Sequence, residues 1–239
     1  MGIKIFLPLH FLFFFFYSAF STRFTIINHC PYTIWPASLT SSGPQIITGF
    51  ELASGASRAI DTAPNWSGRF WARFVCSNSD GKFSCKSGDC GSNQIECGGR
   101  GGIPPATLAE FTLRGADGKD FYDISLVDGF NLPVTIAPQD GGCPTISCPV
   151  DINNRACPKE LSIYNTDGGV IGCKSACIAF NQPQYCCTGD FSTPDKCKPT
   201  YYSEIFKQQC PQSYTYAYDD PSSLFTCQRH PNYVITFCP

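Results

Sequence analysis

Apolar and polar positions alternate in short bursts along most of the chain. Phe24-Thr25-Ile26-Ile27, Tyr32-Thr33-Ile34-Trp35, Arg69 to Phe74, Thr107 to Arg114, Phe121 to Val127 and Val234 to Phe237 read as strands bounded by Pro, Gly and Asn. Their spacing predicts a β-sandwich. Two stretches break the pattern. Cys76 to Gly102 is rich in Gly, Ser and Cys and poor in large apolar residues, which predicts a loop module pinned by disulfides. Cys148 to Cys210 holds the helix candidates, Lys174 to Phe180 and Tyr201 to Gln209, the second with Pro199 ahead of it and Pro211 beyond. The chain reads as all-β with a disulfide-rich, partly helical insert.

One hairpin can be worked out in register. Gly115-Ala116-Asp117-Gly118 is a turn, so Thr107–Arg114 and Lys119–Val127 become antiparallel neighbours. Pairing Arg114 with Lys119 sets Glu110 opposite Asp123. Two carboxylates facing each other across a ladder are destabilising unless a cation or a function keeps them. A solvated pair on an exposed sheet face is the plain alternative. Asp128 has the opposite parity to Asp123, and the following Gly129 allows a bulge or turn that brings it round.

The N-terminus changes the picture of where the chain works. Lys4 precedes an apolar run from Ile5 to Phe20, with Phe13 to Phe16 in succession. Ala19 and Ser21 are small residues placed for cleavage after Ser21, so residues 1–21 read as a secretory signal and the mature chain begins at Thr22. The run is short of the roughly 20 residues that a bilayer span needs. Sixteen Cys point to an oxidising compartment. No C-x2-C occurs, and His29 and His230 are the His beyond the signal, so metal ligation is not expected. Eight disulfides are the reading, and spacing alone leaves their pairing open. With 17 Lys+Arg against 19 Asp+Glu, a nucleic-acid binder working by phosphate neutralisation is excluded.

Several motifs together resemble the thaumatin-like family, the pathogenesis-related group 5 defence proteins of plants. They are Asn28-His29-Cys30-Pro31-Tyr32-Thr33-Ile34-Trp35-Pro36, Gly68 to Arg73, Gly81-Lys82-Phe83-Ser84-Cys85-Lys86-Ser87-Gly88-Asp89-Cys90, Pro104 to Phe111, Asp120 to Asn131, Tyr218-Asp219-Asp220-Pro221 and Phe237-Cys238-Pro239. The resemblance implies the bridges Cys30–Cys238, Cys76–Cys85, Cys90–Cys97, Cys143–Cys227, Cys148–Cys210, Cys157–Cys173, Cys177–Cys186 and Cys187–Cys197. It also implies three domains: a sandwich core of residues 22–75, 103–147 and 211–239, a helical disulfide-rich domain at 148–210, and a small loop domain at 76–102. An acidic cleft is expected between the first two.

Carried over motif by motif, the cleft residues are Arg69, Glu110, Asp123, Asp128 and one of the Asp219-Asp220 pair, with Asp219 the better match. The family proposal is that the Glu and the Asp of the Val-Asp-Gly segment, here Glu110 and Asp128, hydrolyse β-1,3-glucan. Such chemistry needs one carboxylic acid to protonate the leaving oxygen and one carboxylate to stabilise or attack the anomeric carbon. Clustered acids help, because neighbouring negative charge keeps a proton available. The same groove can bind a cell-wall polysaccharide without turnover, or a protein such as a fungal surface protein or a foreign hydrolase that it would inhibit. No cofactor is expected, and a monomer exported to the apoplast is, since vacuolar family members carry an extension past the last Cys. Asn65-Trp66-Ser67 is an N-glycosylation sequon. Trp35, Trp66 and Trp71 read as core or sheet-face residues, and His29 and His230 as packing or surface residues near Cys30–Cys238.

Overall fold

The structure is a computed structural model that describes residues 21–139 and 142–239, so the signal expected at Met1 to Phe20 lies outside the described residues. In chain order the strands are β1 (Thr22–Asn28), β2 (Trp35–Ser42), β3 (Ser57–Thr62), β4 (Ser67–Ser79), β5 (Lys82–Ser87), β6 (Leu108–Thr112), β7 (Asp120–Ser125), β8 (Val134–Pro138), β9 (Ile146–Cys148), β10 (Ser162–Tyr164), β11 (Val170–Cys173), β12 (Phe225–Cys227) and β13 (Tyr233–Phe237). The α-helices are α1 (Ile152–Arg155), α2 (Ala176–Phe180), α3 (Pro183–Cys186), α4 (Tyr201–Gln209) and α5 (Asp220–Ser223).

Two sheets carry the fold. One runs β3-β1-β13-β8-β9 and the other β12-β7-β6-β4-β2, with β5 folded back on the far end of β4. β1 and β13 are parallel, and the other pairs in both sheets are antiparallel. Alternation is the cause: β1 buries Phe24, Ile26 and Asn28 and turns Arg23 outward, because successive side chains leave a strand on opposite faces. Phe24 sits where the sheets meet, with ring centroids of Trp66, Phe70, Phe111 and Tyr233 at 4.7 to 5.6 Å. Burying each such ring contributes about 1.5–3 kcal/mol.

The expected strand at Tyr32–Trp35 is displaced. Pro31 and Tyr32 lie in a bend, Ile34 forms an isolated bridge with Leu52, and β2 instead starts at Trp35 and runs on through Pro36. Proline reads as a strand stop, yet β2 ends its sheet, and an edge strand tolerates a missing N–H. Cys76 to Gly102 is only half a loop: its first part is the β4–β5 hairpin, with Cys76 and Cys85 directly opposite. The helix expected from Lys174 starts at Ala176, where Ser175 Oγ accepts from Ile178 N. α4 spans the expected residues and is opened by a Thr200–Ser203 capping box.

Eight disulfides link Cys30–Cys238, Cys76–Cys85, Cys90–Cys97, Cys143–Cys227, Cys148–Cys210, Cys157–Cys173, Cys177–Cys186 and Cys187–Cys197, the pairs that the resemblance implies. Cys148–Cys210 ties β9, the end strand of the five-stranded sheet, to the residue ending α4, which anchors the helical segment to that sheet.

Candidate functional site

β4, β6 and β7 lie side by side, and their register sets Arg69 against Glu110 and Glu110 against Asp123. A row of one cation and two carboxylates therefore crosses three strands on the face away from the aromatic core. The β6–β7 part of this row is the pairing expected from the hairpin turn. Arg69 Nη1 stands 3.6 Å from Glu110 Oε1, with both side chains about one-third exposed. Asp128 joins them from a tight turn, closed by Gly129 N donating to Leu126 O at 2.8 Å. Gly129 has φ +90, and a Cβ there would collide with Cys173 O and press on Pro105, so only glycine makes the turn.

These four side chains line one cavity of about 300 Å³ together with Ser125 and Tyr214. Glu110 and Asp123 also line a second cavity of about 250 Å³, which extends the groove past Ser67 and Thr112. The loop that follows β5 closes one end. Trp71 Nε1 donates to Gly88 O, and Gly102 packs where a Cβ would press on Trp71. Arg73, fully buried, holds the same loop by donating to Ile95 O at 2.6 Å, and it also donates to Trp35 O of β2 at 3.1 Å. Burial lowers its pKa to about 10, offset by the charges of Asp89 and Glu96.

The carboxylates hold their protons tightly. Burial raises the Glu110 pKa; Arg69 opposes this and Asp128 adds to it. Burial and then the charges of Glu110 and Asp220 raise Asp123 well above its ordinary value, and its Oδ1 is buried with no hydrogen-bond partner among the described residues. Burial also raises Asp128, against the pull of Arg69. Carboxyls in this state keep a proton to higher pH than ordinary carboxylates do, while Arg69 favours ionisation of the neighbours it faces.

Asp219, expected in the cleft, is not part of the groove. It is buried at the head of α5, where its Oδ2 takes bonds from Lys207 Nζ at 2.9 Å and from Thr215 N and Oγ1 at 3.0 Å. Ser222 Oγ donates to its Oδ1 at 3.0 Å. Those donors consume the carboxylate, leaving nothing for a ligand. The adjacent Asp220 is the acid whose charge reaches Asp123, and it accepts from Tyr214 OH at 2.9 Å. Tyr214 and Ser125 escape a reading of motifs; the Tyr214 segment is docked by Tyr214 N to Ile124 O and Leu126 N to Tyr214 O, a pairing between distant stretches. His230 is likewise not beside the terminal bridge: its Nδ1 is 2.8 Å from Asp120 Oδ1. Trp66 and Trp71 are buried, Trp35 is half-buried, and Asn65 is exposed.

The thaumatin family model matches residues 28–239. Thaumatin-like protein 1 of Pyrus pyrifolia is 60% identical over 225 residues, covering 92% of this chain and 92% of the relative. A Prunus avium protein named glucan endo-1,3-beta-glucosidase is 56% identical over 217 residues, covering 89% of this chain and 88% of its own. Among solved structures, a laminaripentaose-producing β-1,3-glucanase in complex with laminaritetraose aligns with TM-score 0.62 and 12% identity, over 92% of this chain and 99% of that one. At that identity the likeness concerns the fold alone.

Proposed function

The chain belongs to the thaumatin family, and from that premise we propose that its acidic groove binds β-1,3-glucan of the fungal cell wall and cleaves it slowly in endo fashion. The protein acts in plant defence after export to the apoplast, an oxidising space suited to its eight bridges. The observation that carries this reading is the alignment of Arg69, Glu110 and Asp123 across three strands with Asp128 turned into the same groove. Glu110 keeps a proton and delivers it to the leaving glycosidic oxygen. Asp128, raised by burial but pulled back toward ionisation by Arg69, supports the anomeric carbon as the C–O bond breaks; water then supplies the hydroxyl that replaces the leaving sugar and returns its other proton to Glu110. Asp123 sits beside the acid as a second proton holder. The name of the Prunus avium relative supports this substrate class.

The test uses purified oxidised protein with soluble β-1,3-glucan, scored for both pull-down and new reducing ends. Wild type should do both, whereas Glu110→Gln should still bind and lose release by at least about 10²-fold, since Gln cannot protonate the oxygen. Release at the wild-type rate by both Glu110→Gln and Asp128→Asn removes the catalytic assignment. Binding with no release by any form leaves a lectin-like groove, and no binding at all points to a protein partner.

A further inference from the structure

A second groove lies apart from the acidic one and shares no lining residue with it. It consists of two adjoining cavities, of about 290 and 430 Å³, on either side of Tyr32 and Phe74. Tyr32 stacks on Phe74 with ring centroids 5.7 Å apart and planes 20° from parallel, and it is 42% exposed. Val75 continues the apolar wall, 38% exposed and held at φ +52, a backbone region costly for a β-branched residue. Exposed apolar side chains gathered at a concavity mark a place where something binds.

Two buried polar atoms of residues in these walls have no hydrogen-bond partner among the described residues. Asn153, 8% exposed, lines the smaller cavity; its Nδ2 donates to Asn131 O at 2.9 Å, which orients the amide and leaves Oδ1 as an acceptor without a donor. Trp35 lines the larger cavity, and its buried Nε1, a donor only, has no acceptor. Buried polar groups left in this state cost about 1–3 kcal/mol each. A ligand hydroxyl serves either need, because it both donates and accepts. Asp151 lines the smaller cavity and Asp167 the larger, so an anionic ligand is repelled from both.

We propose that this groove is a second binding site, for neutral pyranose units of a glycan, with Tyr32 as the stacking surface, Asn153 Oδ1 as acceptor and Trp35 Nε1 as donor. The aromatic wall suits the apolar face of a sugar ring, and the two orphan atoms suit its hydroxyls. Both atoms are enclosed, so a ring reaches them only if Tyr32, carried on the bend after Cys30 rather than in a strand, moves aside.

The experiment follows amide, carboxamide and indole N–H signals of the full oxidised protein by NMR. Laminaritetraose and cellotetraose serve as neutral probes and tetragalacturonate as the anionic one. At least one neutral probe should give saturable shifts of the Trp35 indole and Asn153 carboxamide signals, unchanged in Glu110→Gln. Trp35→Phe and Tyr32→Ala, with melting temperatures near wild type, should each weaken that binding roughly tenfold. The proposal is overturned if both signals stay fixed with both neutral probes, or if tetragalacturonate moves them as readily. Slowly exchanging water contacts to the indole, with no response to sugar, would overturn it as well, because buried water would then satisfy the orphan atoms.

Discussion

Glu110 and Asp123 face each other across the β6–β7 ladder, and the Oδ1 of Asp123 is buried without a hydrogen-bond partner among the described residues. Two carboxyls so placed cannot both ionise cheaply, and the more enclosed one keeps its proton. Asp123 therefore holds its proton above the ordinary value of 3.8, and the pair titrates together.

A carboxyl whose pKa is higher in the folded chain binds its proton more tightly there than when unfolded. Its contribution is thus fully present below the unfolded value and is lost as pH rises through the raised folded value. Asp123→Asn removes the ionisable group at constant shape. We expect the variant to be more stable than wild type at pH 8, by about 1 kcal/mol or more, and the advantage to vanish below about pH 3.8. Thermal melting across that range checks it; a variant equal to wild type at pH 8 would show that Asp123 carries no such penalty.

Arg69→Met should move Glu110 further in the direction that burial already sets. The guanidinium is the largest influence opposing that shift, so its loss raises the Glu110 pKa. Carboxyl-carbon NMR titration of Glu110 reads this without reference to any activity. An unchanged midpoint would mean that the 3.6 Å contact is electrically idle.

Lys207→Met should cost about 3–5 kcal/mol in denaturant unfolding of the oxidised protein, because it strands the buried Asp219 carboxylate with only neutral donors. Lys207 Nζ also donates to Ser213 O and Ser223 Oγ, so the loss spreads to the α5 segment. Asp219→Asn keeps the shape and should cost less. Glucan binding and reducing-end release by Asp219→Asn should both match wild type, whereas the cleft substitution Glu110→Gln loses release.

The disulfides should differ in weight. Cys30–Cys238 closes a separation of 208 residues and Cys90–Cys97 one of 7. Chain entropy assigns about 5 kcal/mol to the first, somewhat less with Cys143–Cys227 shortening the loop, and about 2 kcal/mol to the second. Paired Cys→Ser variants measured by urea unfolding should reproduce that order. Thiol titration of denatured, unreduced protein should return no free thiol from the paired Cys.

What the sequence determined by itself is local. Period-two alternation marks the strands, because side chains of a strand leave on opposite faces, and the Gly115–Gly118 turn sets the register that brings Glu110 to Asp123. Thr200 and the flanking prolines bound α4 for the same reason: cap and stop act within one helical turn. Local rules stop where distant stretches must meet. Pro36 looked like a strand end until the sheet put it on an edge, where an absent N–H costs little. Asp219 and Asp220 are indistinguishable as neighbours in a motif; only the packing of α4 against the Thr215 segment turns the first inward onto Lys207 and leaves the second to act on Asp123. The orphan atoms of Asn153 and Trp35 are tertiary facts too, since whether a buried polar atom finds a partner depends on everything that packs around it.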